Sequence, residues 1–390
     1  MDLIDKALTR GVEQILPSRE GLQKLIKSKN IRLYWGIDPT GTHLHLGHTI
    51  PMRKLQEFAD LGHEAILLIG TGTVLVGDPS QRKIVRGKIT KEEIDENIKT
   101  WKEQAKKVLN FDKIQIKYNG DWLLKLTYPK IAEIASNISS IQLIKRDMFQ
   151  ERIKGGGTVW HHETLYPLMQ GYDSVVMDVD LEIGGTDQTF NMLIGRELQK
   201  KMNNREKFVL TTPLISGTDG NPMSKSSGNC VWLDDSPNDM FGKIMSISDS
   251  QIVEYWNNLT DFPEVKLNTL EPLDAKKELA REIVRIYHGQ EASKKAQEIF
   301  ESTIQQKKVP EFINTFTPMS GATYSQVLLE SGLAESMAEA KRKIQQGSVS
   351  VSVDPNNIPF IKVTDPRGVP TQNEVVKIGN RNYIKIIVKD

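Results

Sequence analysis

Two histidines stand three residues apart in Leu44-His45-Leu46-Gly47-His48, soon after an apolar run that closes on Tyr34-Trp35-Gly36-Ile37-Asp38-Pro39-Thr40. A turn rich in Gly and Pro, followed by an amphipathic stretch, places them at a helix start. At that spacing both imidazoles share one helix face. They lie beside free backbone amides and the positive end of the helix dipole, where phosphate is favoured. Taken alone, such a pair reads more plainly as surface decoration or metal ligation. No metal ligand is assigned, because neither a cysteine nor a fitting carboxylate spacing completes a zinc set.

Further candidates lie downstream. Pro222-Met223-Ser224-Lys225-Ser226 follows a strand-like run and offers a cation on a polar turn. Gly77-Asp78-Pro79-Ser80-Gln81-Arg82-Lys83-Ile84-Val85-Arg86 carries three cations, a basic loop that either meets phosphate or is simply solvated. In Gly184-Gly185-Thr186-Asp187-Gln188 the paired glycines mark a tight turn. Tyr166, Gln170 and Asp173 are spaced to line one side of a helix, either as a polar face or as one wall of a pocket. Asn119 and Trp122 are candidates for the shell of such a pocket, although tryptophan is more commonly core. Generic nucleotide motifs fail: 72–78 has the glycine spacing of a P-loop without its Lys-Ser/Thr, and 70–72 lacks the third glycine of a dinucleotide turn.

The elements that must position these residues follow from periodicity. Short apolar runs bounded by Gly and Pro alternate with longer amphipathic stretches, the habit of an α/β domain with a parallel sheet. Candidate strands are 31–37, 65–71, 114–118, 174–179 and 208–215, while 49–61 and 92–108 read as helices. Pro51 is expected in a first helical turn, where the amide it lacks has no intrahelical acceptor. From 237 to about 311 the pattern is helical, as in 275–287 and 291–304, and strand signals vanish. The remainder reads as helices 324–333 and 336–346, then β-type alternation in 348–353 and 374–388. The predicted divisions are 1–236, 237–318 and 319–390.

With 390 residues, 38% apolar and 26% charged, there is material for two or three cored domains. The 51 basic and 50 acidic residues leave a net charge of +1, so any nucleic-acid contact must come from local patches. One such patch is Lys341-Arg342-Lys343, whose competing account is a solvated helix face. The single cysteine, Cys230, excludes an internal disulfide framework and a Cys-rich metal centre. The first residues mix acids and bases without a secretory core, and no run approaches the roughly 18 apolar residues that span a bilayer. A cytoplasmic protein without membrane contact is expected.

His45-Leu46-Gly47-His48 resembles the first signature of the class I aminoacyl-tRNA synthetases, and Met223-Ser224-Lys225-Ser226 resembles their KMSKS loop, with Pro222 where a first lysine is usual. Gly184 to Gln188, with Tyr34 and Asp173, make the chain similar to the tyrosyl rather than the tryptophanyl branch, over about 32–388. The resemblance implies a Rossmann-like parallel-sheet catalytic domain with an inserted dimerisation segment in 1–236. It further implies an all-helical, anticodon-side domain in 237–318 and a small α+β, S4-like RNA-binding domain in 319–390, where Lys341, Arg342 and Lys343 would meet RNA phosphates.

The implied reaction joins L-tyrosine to ATP and then to tRNA(Tyr). Tyr34 and Asp173 would hold the phenol, Asp78, Tyr166 and Gln170 the ammonium, and Gln188 the carboxylate, with Asn119 in the pocket. A carboxylate and a hydroxyl suit a buried OH, and an anionic site suits a cation. Adenine would lie near Leu214 and Ile215 and ribose at Gly185 and Asp187, with Gly36, Asp38, Gly47 and Ser224 also in the nucleotide site. Thr40 and His45 would face the β- and γ-phosphates, His48 the adenosine, and Arg82, Arg86 and Lys225 the departing pyrophosphate. Mg²⁺ would accompany ATP as substrate, no permanent cofactor is implied, and a homodimer is.

Two other readings stay open on the residues. One is a synthetase-like RNA-binding protein without catalysis, favoured by Pro222 and opposed by the intact His45, His48, Lys225, Asp187 and Gln188. The other is a ligase that adenylates a different small acid, which leaves 237–390 without a purpose.

Overall fold

The computed structural model describes residues 2–79, 89–225, 227–263, 267, 269–302, 313–354, 360–379 and 382–388. The chain forms two compact units, Met1–Gly289 and Gln290–Asp390.

The first unit is built on a six-stranded sheet. Its strands are β1 (Gln14–Leu16), β2 (Arg32–Ile37), β3 (Glu64–Ile69), β4 (Ile114–Tyr118), β5 (Leu181–Gly185) and β6 (Phe208–Thr212). They lie in the order β1-β6-β5-β2-β3-β4. All neighbours are parallel except β1, which pairs antiparallel with the edge of β6. β3 reads Glu-Ala-Ile-Leu-Leu-Ile and is buried from Ala65 onward, the near-continuous apolar habit of a strand covered on both faces. Chain order reverses between β2 and β5. In open parallel sheets the crevice at the carboxyl ends beside such a reversal is where ligands bind.

Helix Leu46–Asp60 carries Gly47 and His48, and helix His161–Met177 carries Tyr166, Gln170 and Asp173. The second packs against helix Thr189–Asn203. Their approach is close because Gly171 meets Gly195: a Cβ on Gly171 would come within 3.1 Å of the Gly195 Cα. Three further helices, Pro237–Met245, Ile252–Leu259 and Pro272–His288, complete the unit around buried Phe241, Tyr255, Trp256 and Ile283.

Two local expectations are corrected. The run 174–179 is not a strand; it ends helix His161–Met177, and the strand begins at Leu181. The β-branched pair Val175-Val176 suggested a strand, but β-branching costs a helix only tenths of a kcal/mol, about what tertiary packing overrides. Pro51 lies inside helix Leu46–Asp60 rather than in its first turn. That helix starts early because the His48 imidazole caps it, accepting from the His45 amide at 3.0 Å. Pro51 consequently deprives the Gly47 carbonyl of its intrahelical donor.

The second unit begins with helix Gln290–Phe300. Its sheet has the order β7-β11-β10-β8-β9, from β7 (Asn314–Phe316), β8 (Val349–Ser352), β9 (Ile361–Lys362), β10 (Val375–Ile378) and β11 (Asn382–Ile386). Helices Tyr324–Glu330 and Met337–Gln345 pack on it through Val327, Leu328, Ile344, Val349, Val376 and Ile386. Among the described residues of either unit, no helix is long and apolar enough to cross a membrane.

Candidate active site

A cavity of about 1370 Å³ opens at the carboxyl ends of the parallel strands. Two groups of side chains line it.

The first group surrounds the helix start. The His45 and His48 rings lie 3.7 Å apart between centroids. Burial, with the Lys225 ammonium nearby, lowers His45 to about 3. His48 is driven well below the usual histidine range by the same burial first, and then by the nearness of His45 and of the Lys225 ammonium. The His45 Nδ1 is buried without a hydrogen-bond partner. Lys225 Nζ donates to Thr40 Oγ1 at 3.4 Å and lies 5.5 Å from the Trp101 ring centroid. Helix Lys91–Ala105 holds the connecting turn: Asn97 donates to the Pro39 carbonyl (2.8 Å), Trp101 to that of Gly41 (2.7 Å) and Gln104 to that of Thr42 (2.8 Å). Gly47 keeps the surface open, since a Cβ there would come within 3.0 Å of the His45 ring and 3.2 Å of Ile215. The Lys225 loop is held by buried Asn229, whose Oδ1 accepts from the Ser224 amide at 3.0 Å and whose Nδ2 donates to Asp219 at 2.8 Å.

The second group is a buried polar floor. Asp173 accepts from Asn119 Nδ2 at 3.0 Å and from Trp122 Nε1 at 2.8 Å. Enclosure raises its carboxyl well above the ordinary range despite those donors. The Tyr34 hydroxyl meets Ser174 Oγ at 3.0 Å, not Asp173. Asp38 accepts from Thr73 (2.7 Å) and from the Tyr166 hydroxyl (3.0 Å). Gln170 Nε2 donates to Glu182 at 3.1 Å, while its Oε1 is buried without a partner. Gln188 Nε2 bridges Asp78 (2.7 Å) and Asp187 (3.1 Å). Burial, with Asp78 adding, raises Asp187. Arg146, buried over the Phe190 ring at 5.4 Å, is electrostatically coupled to the same two aspartates.

The family model for class I tRNA synthetases of the W and Y type matches residues 27–305. The tyrosine–tRNA ligase of Thermotoga maritima is 40% identical over 98% of this chain and 96% of its own length. The chain belongs to the tyrosyl-tRNA synthetase family. That of Francisella tularensis is 38% identical over 98% of both chains. Two solved tyrosyl-tRNA synthetases share the synthetase fold. The mitochondrial one of Aspergillus nidulans, C-terminally truncated, has a TM-score of 0.65 at 21% identity, covering 76% of this chain and 92% of that one. The one from Archaeoglobus fulgidus, in complex with L-tyrosine, has a TM-score of 0.61 at 23% identity, covering 76% and 100%.

For this synthetase, the cavity gathers Tyr34, Gly36, Asp38, Thr40, His45, Gly47, His48, Asp78, Asn119, Tyr166, Gln170, Asp173, Gly185, Asp187, Gln188, Leu214, Ile215, Ser224 and Lys225. Leu214 remains half exposed and Ile215 is buried. Arg82 and Arg86 lie outside the described residues. In the second unit, Lys341 and Arg342 are exposed on helix Met337–Gln345. Lys343 instead donates to the Leu333 carbonyl at 2.9 Å and pairs with Glu339 at 3.1 Å.

Sequence reading missed Thr73, Arg146, Ser174, Glu182, Lys207 and Asn229. Glu182 and Lys207 left one usable signal: each is a charged residue in or beside an apolar strand run, where a charge demands a partner.

Proposed function

We propose that the chain is a tyrosine–tRNA ligase that forms tyrosyl-adenylate and passes the tyrosyl group to tRNA(Tyr). One observation carries the reading: the same cavity holds the histidine–lysine group and the Asp173–Tyr34 floor. A carboxylate oxygen of tyrosine attacks the α-phosphorus of ATP, and the bond to the β-phosphate oxygen breaks, releasing pyrophosphate. A hydroxyl of the terminal adenosine of tRNA then attacks the tyrosyl carbonyl and AMP leaves. No side-chain nucleophile takes part; alignment and stabilisation of charge growing on the phosphates supply the acceleration.

In this reading Tyr34 and Asp173 hold the phenol, Asp78, Tyr166 and Gln170 the ammonium, and Gln188 the carboxylate. Gly185 and Asp187 take the ribose, and Leu214 and Ile215 flank adenine. Thr40 and His45 face the outer phosphates, His48 the adenosine, and Lys225, with Arg82 and Arg86, the leaving group. Neutral imidazoles suit this work, since they donate hydrogen bonds without adding charge to the site. Among the described residues, no group of three His, Cys, Asp or Glu side chains could hold a metal. Mg²⁺ enters with ATP, held by phosphate oxygens and water.

The functional division is 1–236 for catalysis, 237–318 on the anticodon side and 319–390 as an S4-like RNA-binding domain. A cytoplasmic homodimer is part of the same reading. It is supported by the exposed apolar side chains Leu124, Tyr128, Ile141 and Trp160 between β4 and β5, which suit a self-complementary surface. Tyrosine-dependent ATP–pyrophosphate exchange, followed by charging of tRNA(Tyr), tests the activity. Exchange with tyrosine but not phenylalanine is expected; absence of exchange, or equal exchange with both, overturns the reading.

A further inference from the structure

Beneath the amino-acid floor lies a buried ion pair that the reaction itself does not use. Tyr34 and Glu182 are direct neighbours across β2 and β5. Glu182 is 2% exposed and is paired with Lys207, which is fully enclosed. Lys207 also donates to Ser174 Oγ at 2.8 Å, and Ser174 stands 3.4 Å from Glu182 Oε2 and 3.0 Å from the Tyr34 hydroxyl. The other carboxylate oxygen of Glu182 accepts from Gln170 Nε2 at 3.1 Å.

We infer that Glu182, held by Lys207, is a positioning residue that sets which hydrogen-bonding atom of Gln170 faces the amino acid and, through Ser174, where the Tyr34 hydroxyl stands. The inference rests on the tyrosine pocket proposed above. An ionised carboxylate only accepts. Gln170 must therefore turn its amide nitrogen to Glu182, which leaves its buried, unpartnered Oε1 as an acceptor for a cationic donor. On the other branch, Lys207 only donates, so Ser174 Oγ accepts from it and is fixed 3.0 Å from the Tyr34 hydroxyl. The ion pair thus makes an acceptor of the ammonium-facing point and seats the phenol-facing one, matching a ligand with a hydroxyl at one end and an ammonium at the other. Enclosing an ion pair costs desolvation that a well-packed apolar pair would avoid, and simple space-filling does not require it.

The test compares wild type, Glu182→Gln, and the charge-free double variant Glu182→Gln/Lys207→Met. Equilibrium binding of tyrosine and of phenylalanine, pyrophosphate-exchange kinetics and unfolding are measured for each. An amide at 182 can donate as well as accept, so both neighbours lose their fixed orientation. Glu182→Gln is expected to weaken tyrosine binding about tenfold or more and to narrow the tyrosine–phenylalanine ratio while KM for ATP stays unchanged. The double variant, free of an unpaired buried charge, is expected to regain stability but not tyrosine affinity. A folded variant of either kind with wild-type tyrosine affinity and selectivity overturns the inference. The wild-type arm tests the pocket separately: wild-type chain that binds phenylalanine as tightly as tyrosine defeats the tyrosine reading, whatever the variants do.

Discussion

His45 and His48 stack with ring centroids 3.7 Å apart, and burial keeps both imidazoles neutral. His45, lowered to about 3 from 6.5, is neutral when folded at pH values where an unfolded histidine is charged. Between those two values the unfolded chain binds more protons, so stability rises with pH there. The contribution is complete above pH 6.5 and is lost as pH falls toward 3. Denaturant unfolding across this range should show that slope, and His45→Asn should flatten it. Exchange activity should carry no histidine ionisation between about pH 6 and 8. A step there that disappears in His45→Asn would contradict the neutral pair.

Lys225 touches Thr40 in the group around the two histidines. Lys225→Ala is therefore expected to slow adenylate formation by about 10²–10³-fold, the usual effect of deleting a donor aimed at developing charge. Tyrosine binding should stay nearly unchanged in equilibrium titration. An equal fall in tyrosine affinity would remove Lys225 from that role.

Asp173→Ala takes an acceptor from the half-buried Trp122 Nε1 and from buried Asn119 Nδ2, which keeps Thr73 Oγ1 alone. A buried donor left short of a partner costs about 1–3 kcal/mol, so unfolding in urea should register the loss. Selectivity over phenylalanine should fall with it, because a site built for a hydroxyl rejects analogues by leaving its own groups unpaired. Unaltered selectivity in exchange would reject the assignment.

The three basic residues of helix Met337–Gln345 are not equivalent. Lys343 is tied to Leu333 and Glu339, whereas Lys341 and Arg342 are exposed. Lys341→Ala and Arg342→Ala should each lower the salt dependence of tRNA binding by about 0.7–0.9 in log–log slope, the loss of one phosphate contact. Lys343→Ala should change that slope less and lower the melting temperature instead. Equal slopes in all three variants would point to a solvated helix face. Pyrophosphate exchange should be untouched throughout.

Much of this site is legible in the chain because its parts are local. The histidine pair and the Tyr166–Gln170–Asp173 face each sit within one turn or one helix, so spacing shows which side chains share a face, while the family resemblance gives them their roles. The expected strand 114–118 matches β4, and 31–37 matches β2 to within a residue. The run 174–179 misled because a short apolar segment does not declare whether it is buried helix or buried strand. Ser174, Glu182 and Lys207 share no spacing rule; only the pairing of β5 with its neighbours brings them under Tyr34. Arg146 enters as the N-cap of the short helix Asp147–Lys154, whose sequence carries no motif.

The reversal between β2 and β5 also makes the pocket a seam. Tyr34 and Asp38 come from one winding of the sheet, Asp173 and Gln188 from the other, so an amino acid lodged among them rivets together stretches far apart in the chain. Free tyrosine should consequently raise the melting temperature in step with its own concentration, following RT ln(1 + [L]/Kd).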